Sequence, residues 1–363
     1  MRAEGISRTQ LMALLWGGIL APAAELLPGL LLPRAGRNSW LSVALAAPLV
    51  LAGGWLLNRL GTGRGLARGM VETLGPWAGR GVILLYIVWA QLLLAQRLWS
   101  CARRLLSSGN RDGSLWFFLI AAAGMLAWIG RGKLEAFARA GQLFLAALLA
   151  AALVVLGLSL GQGQPERLLP LDWTWGQTAA SALETAGVIG WGFFAAFLLG
   201  AVRDQGERRG WHWLFWGLGG TLLLAGAQAI IIGNLGAGLA MELDNPFFAL
   251  AKSVGVEGAF QRVESIIAAL WTFADLVMGG ILVFAVREMG NECLPQRVRK
   301  WTAEISVLLA GAGGLMLLSG NGVGAWLGEQ VIPVGNLLLG LALPGVLCLF
   351  SQRKGISCEE KGG

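Results

Sequence analysis

TQLMALLWGGILAPAAELLPGLLL, residues 9–32, is an almost unbroken apolar run that carries Gly17-Gly18 and then Pro22 near its middle. A membrane-spanning helix needs roughly 20 apolar residues, so this run is long enough to cross a bilayer. Arg2 and Arg8 ahead of it, with Ala21-Pro22-Ala23 inside it, imitate a signal peptide. The apolar character persists through Leu32, however, which is too long for a signal h-region, and an uncleaved first span is expected. Glycine and proline weaken a helix, and a backbone group freed in the bilayer needs a new partner. The run therefore reads as an interrupted span, or as one whose glycines permit close packing.

A second run, residues 176–200, carries Gly187, Gly190 and Gly192 at the corresponding depth. Apolar segments occupy 9–32, 39–58, 79–106, 114–130, 137–160, 176–200, 212–233, 259–287, 302–320 and 327–350. The two interrupted segments lie five apart. This is the pattern of an inverted-repeat transporter, whose site lies at the broken helices. The expected fold is an all-α polytopic membrane protein of ten transmembrane helices. It would form a 5+5 inverted repeat with helices 1 and 6 broken, in one permease-like domain over 1–363. Repeat one would cover about 9–160 and repeat two about 176–350.

Composition agrees. Hydrophobic residues make up 56% of the 363 and charged residues 13%, against about 25% charged in a soluble domain. The 55 Gly and 17 Trp suit close helix contacts and interfacial anchoring. Trp40, Trp77, Trp211 and Trp213 sit at segment ends and read as that belt. The net charge of +7 is spread over short connections rather than gathered in a stripe, which argues against a nucleic-acid partner. Most of the 28 Lys and Arg fall on the side of the two termini, so the positive-inside rule puts both ends in the cytoplasm. Arg97, Arg103, Arg104 and Arg111 dissent near the outer end of segment three, where long side chains can snorkel.

Cys101, Cys293, Cys348 and Cys358 show no paired spacing, and His212 is the only histidine. Neither a zinc site nor a Cys-His or Ser-His-Asp constellation can be assembled, so no metal, no cofactor and no enzyme activity are expected. Gly61, Gly63, Gly65 and Gly69 form a glycine-arginine loop, but no strand precedes it and phosphate binding is dismissed.

Ionisable groups inside spans are costly and are functional candidates. Glu25 lies just past Pro22, as a ligand-amine contact or an interfacial carboxylate. Glu184, one turn before Gly187, would face the same cavity if both helices unwind, or else bond a neighbouring helix. In segment eight, Phe260, Glu264, Ala268, Trp271 and Asp275 share one helical face, which should point into the bundle as a polar lining or gate. Glu264 reads as a structural clamp. Tyr86, Trp89 and Leu93 share a face of segment three, an arrangement more often packing than a ligand wall.

Phe260-Gln-Arg262-Val-Glu264-Ser265 with Trp271 beyond resembles the F-x-R-x-E-S…W signature of spore germination permeases, the B subunits of nutrient germinant receptors. Asn245-Pro246 through Lys252-Ser253-Val254 and Gly258 is similar to that family's loop before helix eight, with Glu257 where proline is usual. Gln10, Leu27-Pro28 and Trp40 resemble its first helix and the start of its second. The resemblance implies a fold similar to amino acid-polyamine-organocation transporters, with helices one and six unwound around a small-molecule site. It also implies assembly in the spore inner membrane with an A subunit and a C-subunit lipoprotein. Ala21-Pro22-Ala23 stands where the family has G-x-G, which leaves Pro22, or Gly17 and Gly18 one turn earlier, to supply the break.

The expectation is a germinant-sensing subunit that binds a small nutrient such as an amino acid between helices one, three, six and eight. The ligand carboxylate would be held by amides at a half-helix N-terminus. Gly17, Gly18, Ala21, Pro22, Glu25, Tyr86, Glu184, Gly187, Gly190, Trp271 and Asp275 are the candidate ligand residues. Phe260, Arg262 and Glu264 are the structural signature. The rival expectation is a secondary amino-acid or amine transporter working by alternating access.

Overall fold

The computed structural model describes residues 5–60, 65–107, 114–169, 171, 175–203, 209–243, 245–253, 263–319 and 322–353. Helix α1 runs Arg8–Ala35 and begins on a capping box, in which Ser7 Oγ accepts from Gln10 N–H and Gln10 Oε1 accepts from Ser7 N–H. Gly36, with φ +50°, ends it and turns the chain through Gly36–Asn38 into α2 (Ser39–Leu45) and α3 (Ala47–Leu60). There follow α4 (Leu66–Leu74), α5 (Pro76–Ser107), α6 (Leu115–Arg131), α7 (Leu134–Leu160) and α8 (Trp175–Ile189). A 3₁₀ segment, Gly190–Ala201, continues from α8.

The remaining helices are α9 (Arg209–Leu235), α10 (Ala237–Glu242), α11 (Pro246–Ser253), α12 (Val263–Cys293), α13 (Gln296–Arg299), α14 (Thr302–Ser319), α15 (Val323–Trp326), α16 (Ile332–Leu337) and α17 (Leu343–Arg353). π-helical turns at Leu327–Val331 and Leu338–Ala342 flank α16. Seven helical stretches of the described residues are long and apolar enough to cross a membrane, the first being Arg8–Arg59, which holds α1 to α3. Leu115–Arg131 and Thr302–Leu317 are shorter apolar helices.

Helix α1 forms the centre of the bundle. It packs on α12, α7, α8 and α9, and its residues Leu11 through Ala23 are all buried. A helix that is apolar all round belongs in the interior, and this one has no polar stripe. Helix α5 packs on α14, α12, α4 and α6, while α16 lies along α8. The residues ahead of α1 are tied to the far end of the 3₁₀ segment, where Ile6 N–H donates to Ala201 C=O (2.9 Å) and Arg203 N–H to Ile6 C=O (3.1 Å).

Three expectations change. First, α1 is not broken: it stays α-helical through Gly17-Gly18 and through Pro22, Pro28 and Pro33. Its glycines serve packing, since a Cβ on Gly18 would stand 3.2 Å from the Met278 backbone and 3.1 Å from the Trp191 ring. Second, the glycine-arginine loop is partly helix. Leu66–Leu74 turns Leu66, Ala67 and Met70 inward, with the helix lying against α5, while Gly61 and Gly63 lie outside the described residues. Third, Trp213 is no interfacial anchor: it is buried, 3.3 Å from where a Cβ on Gly54 would sit. Trp77, by contrast, is 90% exposed and fits the belt.

Segment six does change character where its glycines stand. The α-helix gives way at Gly190 to twelve residues of 3₁₀ helix, a length that is uncommon and marks a hinge or a strained site.

Candidate functional site

A cavity of about 420 Å³, including its open mouth, lies between α1, α5, the α8–3₁₀ junction, α12 and α16. Pro22 and Ala23 line it from α1, Trp191 from the 3₁₀ segment and Met278 from α12. Its polar lining, among the described residues, is Gln96 and Arg97 from α5 and Asn336 from α16. The rest of the wall is apolar.

Asn336 is a junction of three elements. Its Nδ2 donates to the Gly187 carbonyl (3.0 Å), and its Oδ1 accepts from Trp89 Nε1 (3.0 Å). Gly187 and Gly190 admit α16 this closely: a Cβ on Gly187 would collide with the Pro333 backbone, and one on Gly190 would meet the Asn336 carbonyl oxygen at 3.0 Å. These two glycines thus place the cavity wall rather than touch its contents. Gly190 also lines a second cavity, entirely apolar apart from its indoles, bounded by Trp16, Phe193 and Trp213.

Beside the first cavity lies a network of four charges. Arg104 is 4% exposed and pairs with both Asp275 (2% exposed) and Glu25. It meets Glu25 through two nitrogens, with Nε to Oε1 at 3.2 Å. Arg97 reaches the other Asp275 oxygen, Nη1 to Oδ1 at 3.3 Å. Two arginines and two carboxylates balance, which is what a low-dielectric interior demands of buried charge. The network joins α5 to α1 and to α12.

The structure places Pro22 in the cavity wall and Glu25 and Asp275 in the charge network beside it, not in the lining, and separates the rest. Ala21 is buried within α1. Gly17 faces Phe144 and Val277. Tyr86 is buried among Phe193, Phe194 and Phe197, at ring separations of 6.1, 5.9 and 5.3 Å, and donates its hydroxyl to the Leu339 carbonyl at 2.6 Å. It packs and pins, as the commoner reading of an aromatic stripe anticipates. Glu184 does not reach the cavity, because α1 does not unwind toward it. It pairs instead with Arg34 in the last turn of α1. Trp271 lies under α11, its ring 4.9 Å from Phe247 and 5.8 Å from Phe248, and is not part of the cavity wall. Glu264 falls in the first turn of α12, while its side chain, with Phe260 and Arg262, lies outside the described residues.

The residues missed from sequence are Gln96, Arg97, Arg104, Trp191 and Asn336. Arg97 and Arg104 do not snorkel to the membrane surface as their place near a helix end suggests: both turn inward and are ion-paired. Arg103, between them in sequence, does face outward and stacks over Trp99 at 4.9 Å. A signal was available, since Tyr86, Leu93, Arg97 and Arg104 are spaced 7, 4 and 7 apart and so share one helical face.

The solved structure of MhsT in complex with L-phenylalanine matches with a TM-score of 0.69, covering 98% of this chain and 91% of that one at 16% sequence identity. At that identity the likeness concerns the fold: the all-helical architecture is similar to that of MhsT. No curated protein sequence matches the chain. A family model described as spore germination protein matches residues 5–312, from the start of the bridge that ties Ile6 to the 3₁₀ segment through most of α14. That span takes in α1, α5, α8 and α12, the helices that carry most of the cavity and the whole charge network, and on it the chain belongs to the spore germination protein family.

Proposed function

We propose that the protein is the membrane subunit of a spore nutrient receptor, which binds a small nutrient such as an amino acid and signals germination. One observation carries this reading. The cavity lies where α1, α5 and α12 meet the α8–3₁₀ junction, and it combines an apolar wall with a few convergent polar groups, the make-up of a small-molecule site. The nutrient would bias the subunit between two conformations by its differential affinity for them, and the step needs no covalent chemistry. Ten crossings in a 5+5 inverted repeat with both ends in the cytoplasm, the spore inner membrane, and A and C partner subunits complete the proposal. They are supported by the family, by the placement of Lys and Arg, and by the interrupted sixth segment. The test is germination of spores lacking the gene, scored against a panel of amino acids. Loss of response to one or more is expected; unchanged response to all of them would overturn the reading.

A second reading is favoured by the likeness to MhsT, solved with L-phenylalanine bound. In it the chain moves its ligand by alternating access. Concentrative uptake of an amino acid into vesicles containing this chain alone would establish transport and displace the sensor reading.

A further inference from the structure

We infer that Arg97 is the residue that recognises the ligand, by its carboxylate, and that the cavity takes small α-amino acids as zwitterions. The inference rests on the nutrient-binding reading of the cavity given above.

The polar groups of the cavity differ in what they have left to offer. Asn336 is committed in both directions, to Trp89 and to Gly187. Gln96 donates to Ser100 Oγ at 3.1 Å. Arg97 is the cation of the wall, and its Nε–H is buried with no acceptor. A guanidinium in a nearly closed apolar space with an unanswered donor is matched by a planar anion, and a carboxylate fits its fork with two parallel bonds.

The charge network makes Arg97 available. Asp275 holds Arg104 through one oxygen and Arg97 through the other, and the Arg97 contact is the longer, at 3.3 Å against about 2.7–2.9 Å for a strong charge-assisted bond. Arg104 is secured independently by Glu25. If Arg97 leaves Asp275, that carboxylate keeps one arginine and stays compensated. A ligand carboxylate then replaces Asp275 as the partner of Arg97, and the vacated Asp275 oxygen accepts from the ligand ammonium. A zwitterion inserted this way adds no net charge to a site that is already balanced, whereas a simple anion or cation would. The insertion also removes a direct tie between α5 and α12, so the recognition event reaches the helices it must move.

The test uses the full-length chain in phospholipid nanodiscs and thermal stabilisation by each of the twenty L-amino acids. Each binder is then titrated beside its carboxamide and beside its deaminated acid. D-glucose and inosine serve as uncharged probes. For the wild-type chain the amino acid should bind about tenfold or more tightly than its carboxamide, the loss expected when a charge-assisted pair is replaced by a neutral one. Arg97→Gln should weaken the amino acid by a similar factor and leave the carboxamide within about twofold, collapsing the ratio; Arg97→Lys should retain part of it. A merely structural role for Arg97 would shift both ligands together. Equal binding of acid and carboxamide by the wild-type chain, a comparison that needs no variant, overturns the inference, as does an unchanged ratio in Arg97→Gln. Binding of glucose or inosine with no amino acid bound would refute Arg97 while leaving a nutrient site in place. Stabilisation by none of these probes would remove both.

Discussion

Arg104 is the most constrained side chain in the region, a guanidinium 4% exposed and shared between carboxylates on two different helices. Removing one member of a buried charge set costs about 3–5 kcal/mol, because it strands the partners without water or counter-charge. Arg104→Gln should therefore lower stability by about that amount in SDS titration of the detergent-solubilised protein. Glu25→Gln should cost about 1 kcal/mol or less, since Glu25 is 26% exposed and its loss leaves Arg104 paired with Asp275. Equal losses in the two variants would show that the network is not centred on Arg104. Glu25 and Asp275 were legible in the sequence, because an acid inside an apolar run demands a reason. Arg97 and Arg104 were not, because a long side chain near a helix end can reach water or turn inward, and composition does not distinguish the two.

Helices α1 and α8 carry similar glycine signals and resolve differently. Pro22, Pro28 and Pro33 each remove one amide donor, yet α1 remains helical, its middle held on all sides by α12, α7, α8 and α9. Tertiary packing outweighs a local preference of a few kcal/mol. In the α8 run the glycines admit another backbone: Gly187 meets Pro333 and Gly190 meets Asn336, and the helix tightens to 3₁₀ at that contact. Gly187→Ala should thus destabilise by about 1–3 kcal/mol, as overpacking against an unyielding backbone does. Gly157→Ala in α7, where a Cβ meets nothing within 4 Å, should be neutral or stabilising by up to about 1 kcal/mol. Thermal unfolding of the two variants beside the parent decides it, and equal effects would mean that the α8–α16 contact is not close. Spacing alone located these glycines, but whether glycine breaks a helix or seats a neighbour depends on what lies across from it.

At the scale of the whole molecule, the alternation of apolar segments and basic connections predicts sidedness. The connections at Lys133 and Gln162 follow successive segments and are both exposed. In a cysteine-free background, Gln162→Cys should react with a membrane-impermeant maleimide added outside intact cells, and Lys133→Cys only after permeabilisation. The reverse pattern would invert the topology. The membrane class and the long apolar helices were determined by the sequence itself, because bilayer solvation penalises each residue locally and leaves a linear record. Only the tertiary structure decided that α1 stays whole, that Glu184 and Trp271 stand away from the cavity, and that two arginines complete the charge network. Those outcomes depend on which side chain lies opposite which, and such pairing is set by helices distant in the chain.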